Sequence, residues 1–154
     1  MSKIMVWDLP TRLFHAFLTV GFVAGFTIAQ FAGEHSPWFP YHMMLGIVLG
    51  VMVLLRLLWG FVGTKYARFD SFLYGPAALF RYLKGAIQRT EPRYIGHNPG
   101  SGYATYAMLL LVLVVAGTGL LMSSGSEAAE EVHSIAAYVL LAVVMVHVLG
   151  VAWH

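Results

Sequence analysis

Four histidines lie inside or at the edge of long apolar stretches of this chain: His15, His42, His133 and His147. A titratable ring in hydrocarbon is costly unless a partner satisfies it, so an intramembrane histidine is a candidate functional group. His133 and His147 are fourteen residues apart, which on an α-helix gives a rise of about 21 Å and an angular offset of about 40°. Their rings therefore point the same way at two levels.

The amino-acid composition predicts that these histidines lie in a membrane and not in water. Of the 154 residues, 59% are hydrophobic and 10% are charged, a balance typical of an integral membrane protein. Four apolar stretches are long enough to cross a bilayer, at residues 13–31, 41–62, 103–122 and 132–153. We therefore expect an all-α protein, a transmembrane four-helix bundle that forms a single domain over residues 1–154.

The ends of the chain and its cysteine content narrow the chemistry further. The first stretch is too long, and too poor in a small-residue cleavage pattern, for a removable signal peptide, so we expect it to remain as an anchor. The last apolar run has no cap or charged stop, so a short cytoplasmic tail is expected beyond it. The chain has no cysteine, which excludes iron–sulfur clusters, c-type haem, thiolate zinc sites and disulfides.

Charged residues are distributed unevenly among the connections. The basic ones flank the first span or lie in the long connection between the second and third spans: Lys3, Arg12, Lys65, Arg68, Arg81, Lys84, Arg89 and Arg93. The two short connections carry Glu34, Glu127, Glu130 and Glu131 and no Lys or Arg. The positive-inside rule then predicts a cytoplasmic N-terminus and places the short loops on the opposite side, which is the periplasm if the membrane is a bacterial inner membrane. The net charge of +2 reflects this asymmetry, not nucleic-acid binding.

Within the long connection, residues 76–89 have the pattern of an amphipathic helix. One face holds Leu79, Phe80, Leu83 and Ile87, and another holds Arg81, Lys84 and Gln88. Such a helix is expected to lie in the cytoplasmic membrane interface, with a solvated loop helix as the alternative.

Alternating helix directions sort the histidines into two pairs. His42 and His133 fall on the periplasmic side, and His15 and His147 fall on the cytoplasmic side. Two stacked bis-histidine pairs, each bridging two helices, are the arrangement that two b-type haems need. His154 lies seven residues beyond His147 on nearly the same face and is the rival ligand, although its place at the membrane edge disfavours it. For any single histidine, a hydrogen-bonded packing role is the alternative.

Two arginines are candidates to neutralise haem propionates on the cytoplasmic side. Arg56 follows His42 by fourteen residues and so lies on nearly the same face of the second helix. Arg12 lies about one turn before His15. A buried guanidinium there requires an anion. The alternatives are snorkelling to the interface for Arg56 and a purely topological role for Arg12.

Three further segments of the sequence are distinctive when taken together with this histidine pattern. They are residues 6–15 (VWDLPTRLFH), residues 56–64 with 67–69 (RLLWGFVGT and ARF) and residues 96–99 (GHNP). In this combination, essentially the whole chain resembles the prokaryotic cytochrome b561 family, which includes the cytochrome b subunits of membrane-bound nickel–iron hydrogenases. The resemblance implies a di-haem b protein of four or five helices, with His15, His42, His133 and His147 as ligands, that exchanges electrons with the quinone pool. Four visible spans disfavour the larger hydrogenase subunit.

His97 is a further candidate, because it lies in a loop with glycine, asparagine and proline near the cytoplasmic face. There it would contact a propionate or a quinone. The alternative is that it only shapes the turn into the third spanning helix.

The sequence therefore predicts transmembrane electron transfer through two b-type haems, between the quinone pool and a periplasmic redox partner such as a c-type cytochrome. Alternatives are a self-contained quinone-linked oxidoreductase, for example one that oxidises superoxide, a hydrogenase cytochrome b subunit, and a histidine-lined proton or metal transporter. The transporter is disfavoured because no carboxylate lies inside a predicted span. Membrane lipid, quinone and the redox protein are the expected partners, and a homodimer is left open.

Overall fold

The structure, a computed structural model, describes residues 6–33 and 35–153. Over these residues the chain forms five α-helices and one 3-10 turn, without a strand. The elements are α1 (Leu9–Phe31), α2 (Phe39–Val62), the 3-10 turn (Phe69–Ser71), α3 (Pro76–Gln88), α4 (Pro99–Ser123) and α5 (Glu127–Trp153). Four of them, α1, α2, α4 and α5, are long and apolar enough to cross a membrane. The predicted all-α membrane bundle is confirmed, while Lys3, Glu34 and His154 lie outside the described residues.

Each spanning helix begins earlier than its apolar stretch. Asp8 caps α1, since its Oδ1 accepts the Thr11 N–H at 2.8 Å, and Pro10 occupies the first turn. Asn98 caps α4 in the same way by accepting the Ser101 N–H at 2.8 Å. Caps and first-turn prolines extend a helix without adding to its hydropathy, so the apolar pattern alone places these starts too late.

Neighbouring spans pack in the order α1, α2, α4, α5 around the bundle. Between α2 and α4 the helices approach closely, because a Cβ added at Gly50 would lie 3.0 Å from the Cβ of Ala116. The ring closes where α5 meets α1: the Tyr138 hydroxyl donates to Gln30 Oε1 at 3.1 Å, and its ring meets Phe26 edge-on at 5.7 Å. In this order, α2 and α5 lie opposite each other.

The short helix α3 packs against α4 through Tyr82, which is buried beside Gly100. Phe80 and Ile87, which are 71% and 83% exposed, point away from the protein, as an interfacial helix requires. The prediction was wrong for Leu79, which was placed on the same face as Phe80 but is half-buried on the side that packs on the protein. The apolar residues of α3 therefore form two faces, because one side of the helix packs on α4 and another faces lipid.

The two ends of the bundle differ in charge. The end that holds the α1–α2 connection and the start of α5, with Glu127, Glu130 and Glu131, is called the acidic end. The basic end holds the start of α1, the connection from α2 to α4 with α3, and the end of α5.

Candidate haem-binding sites

Within the acidic end, His42 of α2 and His133 of α5 face each other. Their ring centroids are 6.1 Å apart, and the ring planes are inclined at 75°. Both side chains are half-buried. Because α2 and α5 lie on opposite sides of the bundle, this predicted pair spans its centre.

The Nδ1 atom of each ring is tied to a main-chain carbonyl of a different helix. His42 Nδ1 lies 2.9 Å from the Gly25 oxygen on α1, and His133 Nδ1 lies 2.9 Å from the Val115 oxygen on α4. A carbonyl only accepts hydrogen bonds, so we assign the proton of each ring to Nδ1. That tautomer leaves the Nε2 lone pair available, which is the usual state of a metal-binding histidine.

Thr118 provides a second acceptor for His133. Its Oγ1 lies 3.2 Å from His133 Nδ1 and donates its own proton to the Val114 oxygen at 2.7 Å. The hydroxyl oxygen therefore accepts from the imidazole, and the His133 ring is oriented by two groups of α4.

The His42–His133 pair fits an iron porphyrin ligated from both faces. Two metal–imidazole bonds of about 2 Å, together with the reach from each nitrogen to its ring centre, fill the 6.1 Å between the centroids. Helix α4 packs closely against the His133 ring at Gly119, where a Cβ would lie in ordinary contact, 3.4 Å from Cε1. Gly46, one turn after His42, is half-buried, yet a Cβ there would meet no neighbouring atom within 4 Å. The space beside Gly46 is thus open to at least the size of a side-chain carbon.

At the basic end, His15 of α1 and His147 of α5 lie close enough to interact electrostatically. His15 is exposed and His147 is half-buried. Neither ring makes a hydrogen bond with another described residue, in contrast to the acidic-end pair. The second predicted pair therefore shares a level of the bundle, but no main-chain group orients its rings. The rival His154 lies outside the described residues.

Arg56 is a buried cation of the basic end, with only 4% of its surface exposed. Its Nη2 donates to the Ala67 oxygen at 3.1 Å, and the guanidinium lies over the Phe69 ring, 5.3 Å from its centroid. Its Nη1 is buried without a partner among the described residues. The burial excludes snorkelling to water and leaves a donor that suits an anion. Arg12, by contrast, is exposed.

His97 lies near Arg56 and stacks on Phe72, with ring centroids 4.2 Å apart. Burial, followed by the charges of Arg56 and His147, lowers the pKa of His97 to about 4, so its ring is neutral at neutral pH. Its Nδ1 is buried without a partner in the described part of the chain. The main-chain oxygen accepts the Tyr74 hydroxyl at 2.8 Å, so His97 also shapes the turn before α4.

Asp8 joins the start of α1 to the end of α2, a role beyond that of a cap. Its Oδ2 accepts the Thr64 hydroxyl at 2.6 Å and the Trp59 indole N–H at 3.0 Å. Burial alone would raise the pKa of Asp8, but these hydrogen bonds and those from Thr11 lower it to about 2. The carboxylate therefore stays charged, and its charge acts on Arg56.

Sequence reasoning missed the groups that orient these side chains. Asp8 and Trp59 could have been singled out from the sequence, since both lie in the segments that resemble the family, residues 6–15 and 56–64. Thr118 and the carbonyls of Gly25 and Val115 had none, because a main-chain oxygen is the same at every position. Only the pairing of helices shows which carbonyl meets a histidine.

Within residues 6–33 and 35–153, no group of three or more His, Asp or Glu side chains is arranged to hold a bare metal ion. Paired imidazoles without carboxylates suit the axial positions of a porphyrin. A pathway for protons or metal ions would be expected to carry carboxylates inside the bundle.

Known proteins resemble this chain over most of its length. A model of the prokaryotic cytochrome b561 family matches residues 6–154. A "Probable Ni/Fe-hydrogenase B-type cytochrome subunit" of Rhizobium leguminosarum bv. viciae is 26% identical, over 96% of this chain and 80% of that protein. A protein of the same name from Bradyrhizobium diazoefficiens is 25% identical, over 76% of this chain and 57% of its own length.

A "Probable Ni/Fe-hydrogenase 1 B-type cytochrome subunit" of Escherichia coli K12 is 24% identical, over 77% of this chain and 60% of that protein. The matches thus span 57% to 80% of the length of these three relatives. No solved structure matches the chain.

Proposed function

The chain belongs to the prokaryotic cytochrome b561 family, and from that membership we propose that it passes electrons across a bilayer through two b-type haems. The family and the four apolar helices make it a multi-pass membrane protein of the b-type cytochrome class. To this class we add two haems, four histidine ligands, a cytoplasmic N-terminus and quinone as one redox partner.

His42 and His133 hold the acidic-end haem in this proposal. Its main support is that each Nδ1 is tied to a carbonyl of a neighbouring helix while the rings face each other at 6.1 Å. With both protons on Nδ1, the Nε2 lone pair of each ring is free to bind iron. Ligation then costs little side-chain entropy, because the rings are already ordered.

His15 and His147 hold the basic-end haem, with Arg56 and Arg12 as cations for its propionates. The buried Nη1 of Arg56 has no partner among the described residues, and a carboxylate there would satisfy a group that is otherwise costly to bury. Arg12 is exposed and contributes a screened charge. The neutral ring of His97 contacts either a propionate or the quinone headgroup.

When bound, a b-type haem takes up and releases one electron at its iron. The chain controls how readily this happens. The paired imidazoles would hold the iron, and the apolar spans exclude water, so nearby charges act more strongly than in solution. The positive charge of Arg56 favours the reduced state at the basic end.

We orient the basic end toward the cytoplasm of a bacterial inner membrane, because the connection from α2 to α4 is rich in Lys and Arg while the acidic-end connections have none. Quinone or quinol exchanges electrons at one edge of the protein. A periplasmic redox protein such as a c-type cytochrome docks on the acidic end, where Glu127, Glu130 and Glu131 complement a basic surface.

A second assignment, as the cytochrome b subunit of a nickel–iron hydrogenase, is favoured by the names of the relatives. The partner at the acidic end would then be hydrogenase subunits. Affinity purification from native membranes in mild detergent separates the two assignments, because the recovered partner is a c-type cytochrome in one and a hydrogenase in the other.

Haem analysis of the purified protein tests the proposal. We expect b-type bands in the reduced-minus-oxidised spectrum and about two haems per chain by pyridine haemochrome. His42→Ala and His133→Ala should each remove the acidic-end haem, and His15→Ala and His147→Ala should each remove the other. His35→Ala, at an exposed loop residue, is the matched control and should keep both.

A colourless protein would contradict the redox assignment altogether. If His147→Ala keeps both haems while His154→Ala loses one, the basic-end ligand set is wrong even though the class is right.

A further inference from the structure

Three different faces surround the axis of α3. At about 100° per residue, the packed face holds Leu79, Tyr82 and Ala86, the apolar face holds Phe80, Leu83 and Ile87, and the basic face holds Arg81 and Lys84. A helix that only covered α4 from water would need a packed face and a polar face. The additional apolar face, with Ile87 83% exposed, requires contact with hydrocarbon.

Beyond α3, a cavity of about 540 Å³ opens where the chain turns toward α4. Its lining includes Arg89, Arg93, Tyr94 and Asn98. The Arg89 guanidinium also lies over the ring of Trp153, 5.2 Å from its centroid. Trp153 ends α5, and tryptophan at the end of a span marks the headgroup level of a bilayer. The cavity therefore opens at the depth of lipid headgroups.

The charge of this region is strongly positive. Residues 81–93 contain Arg81, Lys84, Arg89 and Arg93 and a single acidic residue, Glu91. Glu91 also lines the cavity but already interacts with another group of the chain. Four basic residues beside an exposed apolar helix face are the combination that binds anionic membrane lipid.

We propose that α3 and the turn after it form a binding site for an anionic phospholipid. The acyl chains contact the apolar face of α3, and the phosphate lies in the cavity between Arg89 and Arg93, whose planar guanidinium groups match phosphate oxygens. Membrane topology alone accounts for basic residues in this connection. It does not account for two arginines at a cavity next to an exposed apolar face.

The site lies outside both proposed haem sites and does not rest on the haem assignments. Its consequence for them is indirect. The connection that α3 belongs to also contains Ala67, which accepts a hydrogen bond from Arg56, and His97. A lipid that fixes α3 therefore stabilises the basic end.

The test compares phosphatidylglycerol with phosphatidylcholine of the same acyl chains. Each lipid is titrated into the detergent-purified, haem-containing protein, and the unfolding midpoint and the lipid retained by native mass spectrometry are measured. Phosphatidylglycerol should raise the midpoint and remain bound, and phosphatidylcholine should do neither. In the Arg89→Gln/Arg93→Gln variant the affinity for phosphatidylglycerol should fall about thirtyfold.

Two variants control for charge and for folding. Lys65→Gln/Arg68→Gln removes the same charge from the same connection and should bind phosphatidylglycerol as the wild type does. Arg89→Lys/Arg93→Lys keeps the charge but not the planar guanidinium groups, so its affinity should lie between those of the wild type and the glutamine variant. The haem spectrum of each variant reports whether the bundle is intact.

Equal stabilisation by the two lipids would overturn the proposal, as would equal loss in the Lys65→Gln/Arg68→Gln control. If glycerol phosphate raises the midpoint as much as the lipid does, the cavity binds a soluble phosphate and the lipid assignment is wrong. A protein that neither contains haem nor takes up added hemin, yet still selects phosphatidylglycerol, would refute the proposed electron transfer and leave the lipid site standing.

Discussion

The two ends of the bundle hold their histidines in different ways. At the acidic end, main-chain carbonyls and Thr118 orient the rings of His42 and His133. At the basic end, His15 and His147 have no such partner among the described residues, while Arg56 and His97 each bury a nitrogen without a protein partner there. The acidic end is thus preorganised by the fold, whereas the basic end has polar groups that a bound ligand would satisfy. Preorganisation reduces the cost of binding, and unsatisfied buried groups increase the gain from it.

The largest expected effect is a difference in haem affinity between the ends. In hemin titrations of the haem-free protein, the acidic-end site, isolated by His15→Ala, should bind about 10- to 100-fold more tightly than the basic-end site, isolated by His42→Ala. The reason is that only the acidic-end rings are oriented before haem binds, and we expect this to outweigh the gain from satisfying Arg56 and His97 at the basic end. Optical titration of the two variants measures both constants, and equal affinities would remove the distinction between the ends.

At the basic end, Asp8 stabilises the fold by joining the start of α1 to the end of α2. Its pKa of about 2 in the folded protein lies below the ordinary value of 3.8, a difference worth about 2 kcal/mol of stability. Because the folded-state pKa is the lower one, this stability is complete above about pH 4 and is lost as the pH falls toward 2.

Asp8→Asn should therefore lower the free energy of unfolding by about 2 kcal/mol at pH 7 and flatten its decline in acid. Chemical denaturation in detergent at several pH values measures both. Asp70→Asn is the control, since Asp70 is exposed and forms its ion pair with the exposed Arg68, and it should change little. An Asp8→Asn protein that keeps the acid sensitivity of the wild type would contradict this role.

A smaller effect separates the two arginines of the basic end. A charge about 10 Å away is worth roughly 1 to 2 kcal/mol at an effective dielectric constant near 20, so Arg56→Gln should lower the midpoint potential of the basic-end haem by roughly 60 mV. Arg12→Gln should shift it much less, because Arg12 is exposed and screened. Redox titration of both variants measures the shifts. Equal shifts would mean that burial of Arg56 has no electrostatic consequence.

The smallest expected effect concerns Thr118, which shares the His133 Nδ1 proton with the Val115 carbonyl. Thr118→Val should weaken haem retention at the acidic end severalfold, since one neutral hydrogen bond contributes about 1 kcal/mol. The rate at which haem leaves the acidic-end site is measured by its transfer to apomyoglobin. Thr105→Val is the matched control on α4, because the Thr105 hydroxyl donates to Ser101, and it should have no effect on that rate.

Sequence reasoning was most accurate where the signal is periodic. The four spans and the amphipathic helix between the second and third spans follow from hydropathy, which depends on residues close together in the chain. It was less accurate for the start of each helix and for Leu79, because caps, prolines and a helix with two apolar sides do not fit one hydropathy pattern.

Residue types and their spacing by themselves determined that this chain is a membrane bundle, which histidines share a level, and which family it resembles, because hydropathy and helical geometry are local properties. Only the tertiary structure decided that His42 and His133 face each other across the bundle, that their Nδ1 atoms meet the carbonyls of Gly25 and Val115, and that Arg56 is buried. Those contacts depend on how distant helices rotate and pack against one another, which no stretch of sequence encodes alone.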